Sequence, residues 1–250
     1  MAQITQDVKG KLKLQSAYIE APFYKTKEVL EKEGYRVISL EENAILRILE
    51  GKYTFISKNG NYAREGVIYI PKKGKFLTKN SPIMNNAEKA TQCHKDGKEF
   101  YLNKEQVKKA LEKSVKLDKS QILTSEFGNE EITDFAFGKY AKEYGKFLKD
   151  AEINEMPIWT ANLENKPFAR QLWFWGLDGR SGLNGNWDLD DINGVRGVRD
   201  GVRKAQQKTE SYTPQQIQME KQMEEALTEL RYPENAKKSI IEKLRSQYSD

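Results

Sequence analysis

The feature that most constrains the fold is a segment between residues 159 and 203 whose composition departs from that of the rest of the chain. All four tryptophans of the chain lie in it: Trp159, Trp173, Trp175 and Trp187. No lysine occurs from residue 167 to residue 203, although the chain carries 42 lysines and arginines, and seven of its 17 glycines lie between Gly176 and Gly201. Large aromatic residues separated by small ones predict an irregular segment held in place by side-chain packing rather than a regular helix or strand.

Apolar residues recur through this segment, with small or polar residues between them. These apolar anchors are Leu172, Trp173, Leu177, Leu183, Leu189, Val195 and Val198. Tryptophan and arginine lose little conformational entropy on contact, and lysine is depleted at binding surfaces, so the composition favours a recognition surface. The alternative is a Gly-rich structural loop that is anchored by core tryptophans and binds nothing.

The segment resembles the variable region of proteins that are diversified by retroelements, especially the archaeal type. The likeness is carried by Arg170-Gln171-Leu172-Trp173, Gly176-Leu177, Ser181, Leu183, Gly185, Leu189 and Val195-Arg196-Gly197-Val198. In that family, adenine-directed mutagenesis of Asn-type codons scatters residue types over fixed surface positions of a C-type-lectin-like fold. The resemblance implies an α+β domain of C-type-lectin type that binds a changeable target, without catalysis and without a cofactor.

The resemblance divides the segment into surface and scaffold positions. The expected ligand-binding surface consists of Phe174, Asp178, Gly179, Arg180, Gly182, Asn184, Asn186, Asp188, Asp190, Asp191, Ile192 and Asn193. The expected scaffold consists of Arg170, Leu172, Trp173, Gly176, Leu177, Leu183, Leu189, Val195, Arg196 and Gly197. An Asn codon ends in a pyrimidine, and adenine substitution in it cannot produce tryptophan, so Trp175 and Trp187 are also expected to be fixed.

The rest of the chain predicts two parts: an α+β domain over residues 1–203, with the variable region at about 159–199, and a helical tail over residues 204–250. Periodicity and capping signals predict helices near residues 23–32, 40–49, 86–92, 104–115 and 129–151. Strands are expected at 11–20 and 35–39, and a β-rich stretch at 53–77 has hairpin tips at 58–61 and 72–75. The tail predicts a helix pair over 213–248 that either packs on the main domain or binds an assembly partner.

Three metal-dependent sites are alternatives that the Cys, His, Asn and Asp residues raise. Cys93 and His94 could supply half of a zinc site, but the remaining ligands are missing. A magnesium-dependent nuclease would use the aspartates of residues 178–191, yet no catalytic lysine lies nearby. The alternating Asn and Asp residues at 184–190 suit calcium better, although the EF-hand positions for Gly and Glu hold Leu189 and Val195. A calcium-dependent carbohydrate-binding module therefore stays open as the alternative function.

Charge and hydropathy limit the remaining partners. The net charge is +5, but it arises from lysines mixed with glutamates, and the segment between Trp173 and Val195 carries four aspartates against one arginine. Such a segment repels phosphate, so nucleic acid is not an expected partner. No stretch is apolar enough for a signal peptide or a membrane span, which predicts a cytoplasmic or particle-associated protein. The expected partner is a protein target that the sequence does not identify.

Overall fold

The computed structural model describes residues 5–8, 14–178, 181–190 and 192–200, which fold as a mixture of strands and helices. The strands are β1 (Thr5–Val8), β2 (Leu14–Ala21), β3 (Arg36–Val37), β4 (Asn61–Ile70), β5 (Gly74–Thr78), β6 (Phe100–Tyr101), β7 (Ser114–Lys116), β8 (Gln121–Leu123), β9 (Glu155–Trp159), β10 (Phe168–Phe174), β11 (Leu183–Asn184) and β12 (Asn193–Asp200). The helices are α1 (Phe23–Lys32), α2 (Leu40–Glu50), α3 (Phe55–Lys58), α4 (Ala87–Lys95), α5 (Lys104–Leu111), α6 (Glu131–Phe137) and α7 (Ala141–Asp150). The expected helical tail, residues 204–250, lies outside the described residues.

Strands β12, β4 and β10 form the middle of the sheet. Along its main path the strand order is β1-β2-β12-β4-β10-β11-β9-β8, while β3, β5 and β6 add to β12, β4 and β10 respectively and β7 pairs with β5. Strand β12 pairs antiparallel with β2 from Asn193–Ala21 to Asp200–Leu14, so the last described strand is held along its whole length by an early one. This pairing fixes the end of the segment that begins at Trp159.

Strand β4 is buried on both faces. Tyr62 and Ile68 pack into one hydrophobic cluster with residues of α1, α4 and α5. Ala63 and Val67 pack into another with residues of α2, α6 and α7. Successive side chains of a strand point to opposite faces, so these alternating contacts place helices on both sides of the sheet. None of the helices in the described part of the chain is long and apolar enough to cross a lipid bilayer.

Helix α2 begins at a capping box that the sequence signals directly. The Ser39 side chain accepts a hydrogen bond from the Glu42 backbone N–H, and the Glu42 carboxylate accepts one from the Ser39 backbone N–H. The two bonds satisfy donors that would otherwise be orphaned at the first turn. The observed bounds, Leu40–Glu50, confirm the predicted helix to within one residue.

Three local predictions were wrong. The expected helix at 104–115 ends at Leu111, and residues 114–116 form β7 instead. The expected single helix at 129–151 is divided into α6 and α7, because Gly138 adopts a positive φ of 56° and a Cβ there would lie 2.7 Å from Glu41 Oε1. The expected hairpin tip at 58–61 is instead the end of α3. The Asn59 backbone N–H donates to the Phe55 carbonyl at this helix end, and β4 begins at Asn61. The second predicted tip is confirmed, since β4 and β5 pair up to Ile70–Gly74.

The pairing of β10 with β4 contains an irregularity inside the Trp-rich segment. The register of the pair shifts between Gln171 and Trp173. The fully buried Gln171 amide fills the gap by donating to the carbonyls of Ala63 and Glu65 and by accepting a 2.9 Å hydrogen bond from Ser81 Oγ. One residue of β10, Leu172, lies opposite three of β4, residues 63–65, so the register shifts by two residues. An even shift keeps the alternation of faces, and Leu172 and Phe174 enter one core while Trp173 enters the other.

Candidate functional site

The four tryptophans form one contiguous cluster at the end of β10. The Trp173 and Trp187 rings stack with centroids 5.8 Å apart, and Trp175 meets Trp187 edge to face at 5.1 Å. Trp159 meets Trp175 at 6.2 Å. Trp173 is 6% exposed and belongs to the core with α1 and α4. Aromatic pairs in these geometries contribute about 0.5–1.5 kcal/mol each beyond burial, so the cluster joins the two loops that follow β10 and β11.

The described residues of the first loop, 175–178 and 181–182, have their backbone tied to α3 and to each other. The Leu177 amide donates to the Ser57 carbonyl at 2.7 Å, and the Trp175 amide donates to the Gly182 carbonyl at 3.0 Å. Gly176 leaves no room for a side chain, because a Cβ there would overlap the Lys58 carbonyl oxygen. The loop therefore passes directly over α3, and only a glycine permits the approach.

A buried arginine supports the first loop from below. Arg47 of α2 is fully buried, and its Nη1 donates to the Trp175 carbonyl and to Tyr144 Oη, each at 3.0 Å. The same atom lies 3.4 Å from Ser181 Oγ, and the guanidinium stacks 4.1 Å from the Phe174 ring centroid. Burial lowers the pKa of Arg47. A buried guanidinium is costly unless it is hydrogen-bonded, which is why its polar contacts hold the loop so closely.

The second loop, residues 185–190, has its backbone held mainly by side chains from elsewhere in the fold. The following hydrogen bonds join the loop backbone to residues outside the loop. They are Gly185 N–H to Trp159 O (2.8 Å), Tyr69 Oη to Gly185 O (2.9 Å), Arg170 Nη1 to Asn186 O (3.3 Å), Tyr62 Oη to Asp188 O, Leu189 N–H to His94 Nδ1 (3.1 Å), Phe23 N–H to Leu189 O (3.3 Å) and Asn186 N–H to Asn184 Oδ1 (2.8 Å). The conformation of this loop is thus specified by the framework and not by its own outward side chains.

Arg170 and His94 form the polar base of the second loop. Arg170 makes a bidentate ion pair with Glu99 and a 2.9 Å contact from Nη1 to Asp188 Oδ1. The ion pair with Glu99 outweighs burial and raises the pKa of Arg170, although burial is the largest single influence. Burial, followed by the nearby Arg170 cation, lowers the pKa of His94. The base is therefore a charged pair beside a neutral imidazole.

The side chains of the two loops differ in exposure. Asp178 and Asn186 are exposed, Ile192 is 76% exposed, and the Asp188 side chain is 56% exposed despite its contact with Arg170. Asp190 and Asn193 are half-buried. Gly179, Arg180 and Asp191, which were also expected on the surface, lie outside the described residues. These exposed side chains belong to, or adjoin, the loops whose backbone the tryptophan cluster and the polar base support.

Three residues expected on the surface are buried, which corrects that assignment. Phe174 is fully buried because the register of β10 points it into the core with α6 and α7. Gly182 is buried against the Trp159 ring, because a Cβ added at this glycine would lie only 2.5 Å from that ring. Asn184 pairs in β11 and turns its side-chain oxygen to the Asn186 amide, so it shapes the second loop from within.

The expected scaffold residues lie inside the framework. Those that are buried are Leu172, Trp173, Gly176, Leu183, Leu189, Val195, Arg196 and Gly197, while Arg170 and Leu177 are half-buried. Arg196 is fully buried, donates to Asn61 Oδ1 at 2.6 Å and lies over the Tyr18 ring at 5.0 Å. Its place in the middle of the fold explains why arginine, with its planar group, occurs at this position.

Two exposed aromatic residues that sequence reasoning did not select lie beside this face. Tyr53 is 78% exposed and Phe55, in α3, is 45% exposed. The Phe55 ring lies 5.1 Å from the Tyr18 ring, and Tyr18 closes over Gly194 at the start of β12. Because α3 also contacts the first loop, these aromatics extend the exposed face. The signal was two aromatics flanking a Thr N-cap residue, which a β-rich interpretation of residues 53–77 concealed.

Within the described residues, no group of three or more His, Cys, Asp or Glu side chains is arranged to hold a metal ion. Asp188, one of the oxygen-bearing residues of 184–190, contacts a guanidinium instead. His94 and Cys93, the half of a zinc site considered above, find no further ligands among these residues.

No protein-family model matches this chain. No curated protein matches it either. One solved structure does: a protein from Nanoarchaeota in which the C-type lectin fold is described as accommodating massive sequence variation. The TM-score is 0.60 with 16% sequence identity, and the match covers 76% of this chain and 99% of that one. The chain therefore has the C-type lectin fold, as its α+β architecture and the resemblance predicted.

Proposed function

We propose that this protein is a non-enzymatic recognition protein whose binding face consists of the exposed side chains of the two loops and of Ile192, immediately before β12. The supporting observation is the division of labour in the second loop. Its backbone is held by Tyr69, Arg170, Tyr62 and His94, while Asn186 exposes its side chain and Asp188 touches the framework through Arg170. A surface built in this way tolerates many side-chain types, because changing them removes few framework contacts.

Diversification by a retroelement fits this division. Adenine-directed substitution changes codons without regard to folding, so it needs positions where residue type hardly affects stability. Asp178, Asn186 and Ile192 satisfy that condition by their exposure, and Trp175 and Trp187 do not, because they pack in the tryptophan cluster. The described solved structure with massive sequence variation shares this fold and supports the same idea. We further propose that the target is a protein.

A pair of libraries tests the proposal. The surface library randomises Asp178, Asn186, Asp190 and Ile192 in the full chain, and the matched control randomises the same number of framework positions: Leu172, Phe174, Leu183 and Leu189. Most surface-library members should melt cooperatively near the parent, whereas few control members should fold. Selection of the surface library against several unrelated proteins should yield binders. Equal loss of folding in both libraries would contradict the division between face and framework.

The retroelement origin has its own test in the neighbouring DNA. We expect a near-copy of the coding region for residues 159–199 beside a reverse-transcriptase gene. An ordinary lectin-like module would have neither.

Nucleic-acid binding and hydrolysis are tested on the acidic side chains. Replacing Asp188, Asp190 and Asp191 together with Asn should alter binding of a selected protein target and leave the fold intact. A salt-sensitive nucleic-acid interaction abolished in this variant, or a hydrolytic activity lost in it, would contradict a pure recognition function.

A further inference from the structure

The two ends of the second loop are held by different chemistry, and only one of them can titrate near neutral pH. At the first end, the Gly185 amide donates to the Trp159 carbonyl and Tyr69 Oη donates to the Gly185 carbonyl. At the other end, Tyr62 Oη donates to the Asp188 carbonyl, the Phe23 amide donates to the Leu189 carbonyl, and the Leu189 amide donates to the imidazole of His94 across 3.1 Å. A phenol and a peptide group keep their protonation state between pH 5 and 8, whereas an imidazole does not.

The contact defines the protonation state of His94. Nδ1 accepts the Leu189 N–H, so the proton of the neutral ring must be on Nε2. The His94 side chain is fully buried, and Nε2 has no hydrogen-bond partner among the described residues. Among the described residues, the buried ring thus acts as an acceptor for one backbone amide of the second loop.

A second partner for the same nitrogen lies close by. Asp188 Oδ1 is 3.7 Å from His94 Nδ1, while it also receives the 2.9 Å contact from Arg170. A proton added at Nδ1 turns this atom from an acceptor into a donor. The Leu189 amide then faces another N–H and loses its acceptor, whereas the Asp188 carboxylate becomes a suitable partner for the imidazolium.

We propose that His94 is a titratable latch for the second loop: the neutral imidazole accepts the Leu189 amide, and protonation exchanges that bond for one to Asp188 and frees the Leu189 amide, which loosens this end of the loop. The consequence for binding rests on the proposed function, since Asp188 belongs to the exposed face. The latch itself is a property of the fold. A target bound at neutral pH would then be released on acidification.

The charged groups around the ring set the direction of the change. Burial and the Arg170 cation favour the neutral ring and lower the pKa of His94, while Glu99, Asp188 and Asp190 oppose them. The latch is therefore closed at neutral pH, and it opens as the pH falls below the ordinary histidine value. These four groups come from β10, from the turn before β6 and from the second loop itself.

The chain contains one histidine, so a single imidazole signal reports the latch without ambiguity. In the full-length protein we would follow that signal by NMR from pH 8 to pH 5 and measure amide exchange, corrected for intrinsic rates. Protection of the Leu189 amide should fall at least tenfold as His94 titrates. The Leu177 amide, which donates to the Ser57 carbonyl at 2.7 Å in the first loop, should keep its protection and serves as the internal control.

The variant His94→Gln provides the matched test, because its side-chain oxygen can accept the same amide and does not titrate. Its Leu189 protection should be the same at pH 8 and pH 5. The proposal is overturned if Leu189 protection persists while His94 titrates, if the ring stays neutral to pH 5 in the folded protein, or if the variant loses protection as the wild type does. Should the variant fail to fold, the wild-type titration decides alone.

These readouts need no ligand. If His94 works as a latch but the surface library yields no binders, the proposed function is contradicted and the latch still stands. If the latch works but binders have equal affinity at pH 8 and pH 5, the proposed release of the target on acidification is contradicted.

Discussion

Replacing Trp173 separates the framework from the exposed face most sharply. The side chain is 6% exposed and contacts the Tyr62 ring at 5.2 Å and the Trp187 ring at 5.8 Å. A buried tryptophan removes roughly 200 Å² from water, or about 5 kcal/mol at 25 cal/mol/Å². Its Nε1 is buried without a hydrogen-bond partner among the described residues, which offsets about 1–3 kcal/mol. Trp173→Ala should therefore reduce the free energy of unfolding by about 3 kcal/mol.

Two comparisons make that figure decisive. Trp173→Phe loses part of the ring but also removes the unsatisfied N–H, so it should cost only about 1 kcal/mol. Ile192→Ala, at a side chain that is 76% exposed, and Asp178→Ala should each cost less than about 0.5 kcal/mol. Urea unfolding followed by far-UV circular dichroism gives all four values. The reasoning is refuted if Ile192→Ala costs as much as Trp173→Ala, or if the alanine and phenylalanine variants of Trp173 are equally stable.

Three other predictions concern the Glu65 carboxyl, the close contact between Gly176 and Lys58, and calcium. Burial raises the pKa of Glu65 to about 7, so its contribution to stability is complete below pH 4.5 and is lost as the pH rises through 7. The difference in unfolding free energy between wild type and Glu65→Gln should therefore change by about 3 kcal/mol between pH 4 and pH 9, and a pH-independent difference would refute it. Gly176→Ala should cost more than about 3 kcal/mol, because its Cβ overlaps the Lys58 carbonyl oxygen; a wild-type melting temperature would show that α3 can move aside. Calcium should not raise the melting temperature relative to a chelator, whereas a large rise would favour the carbohydrate-binding alternative.

The sequence by itself determined the elements whose signals are local. Helix α1 begins and ends where periodicity and Gly34 place it, and α2 follows its capping box. The apolar anchors of the Trp-rich segment were also predictable, because a large apolar residue in an irregular stretch is stabilised by burial wherever the chain allows it. This is why Leu183 and Leu189, chosen from spacing alone, lie in the core.

Only the tertiary structure decided which way the residues between those anchors point. An irregular loop has no period, so position along the chain does not determine exposure: Asn184 is buried and Asn186 is exposed, although both are polar residues between the same two anchors. Their difference arises from partners far away in sequence, such as Tyr69, whose hydroxyl bonds to the Gly185 carbonyl 116 residues later. Likewise, Phe174 is buried because helices cover both faces of the sheet at β10, so alternation along this strand exposes neither face. Long-range hydrogen bonds of this kind cannot be recognised from local composition, and they decide which residues of the loop are buried and which are exposed.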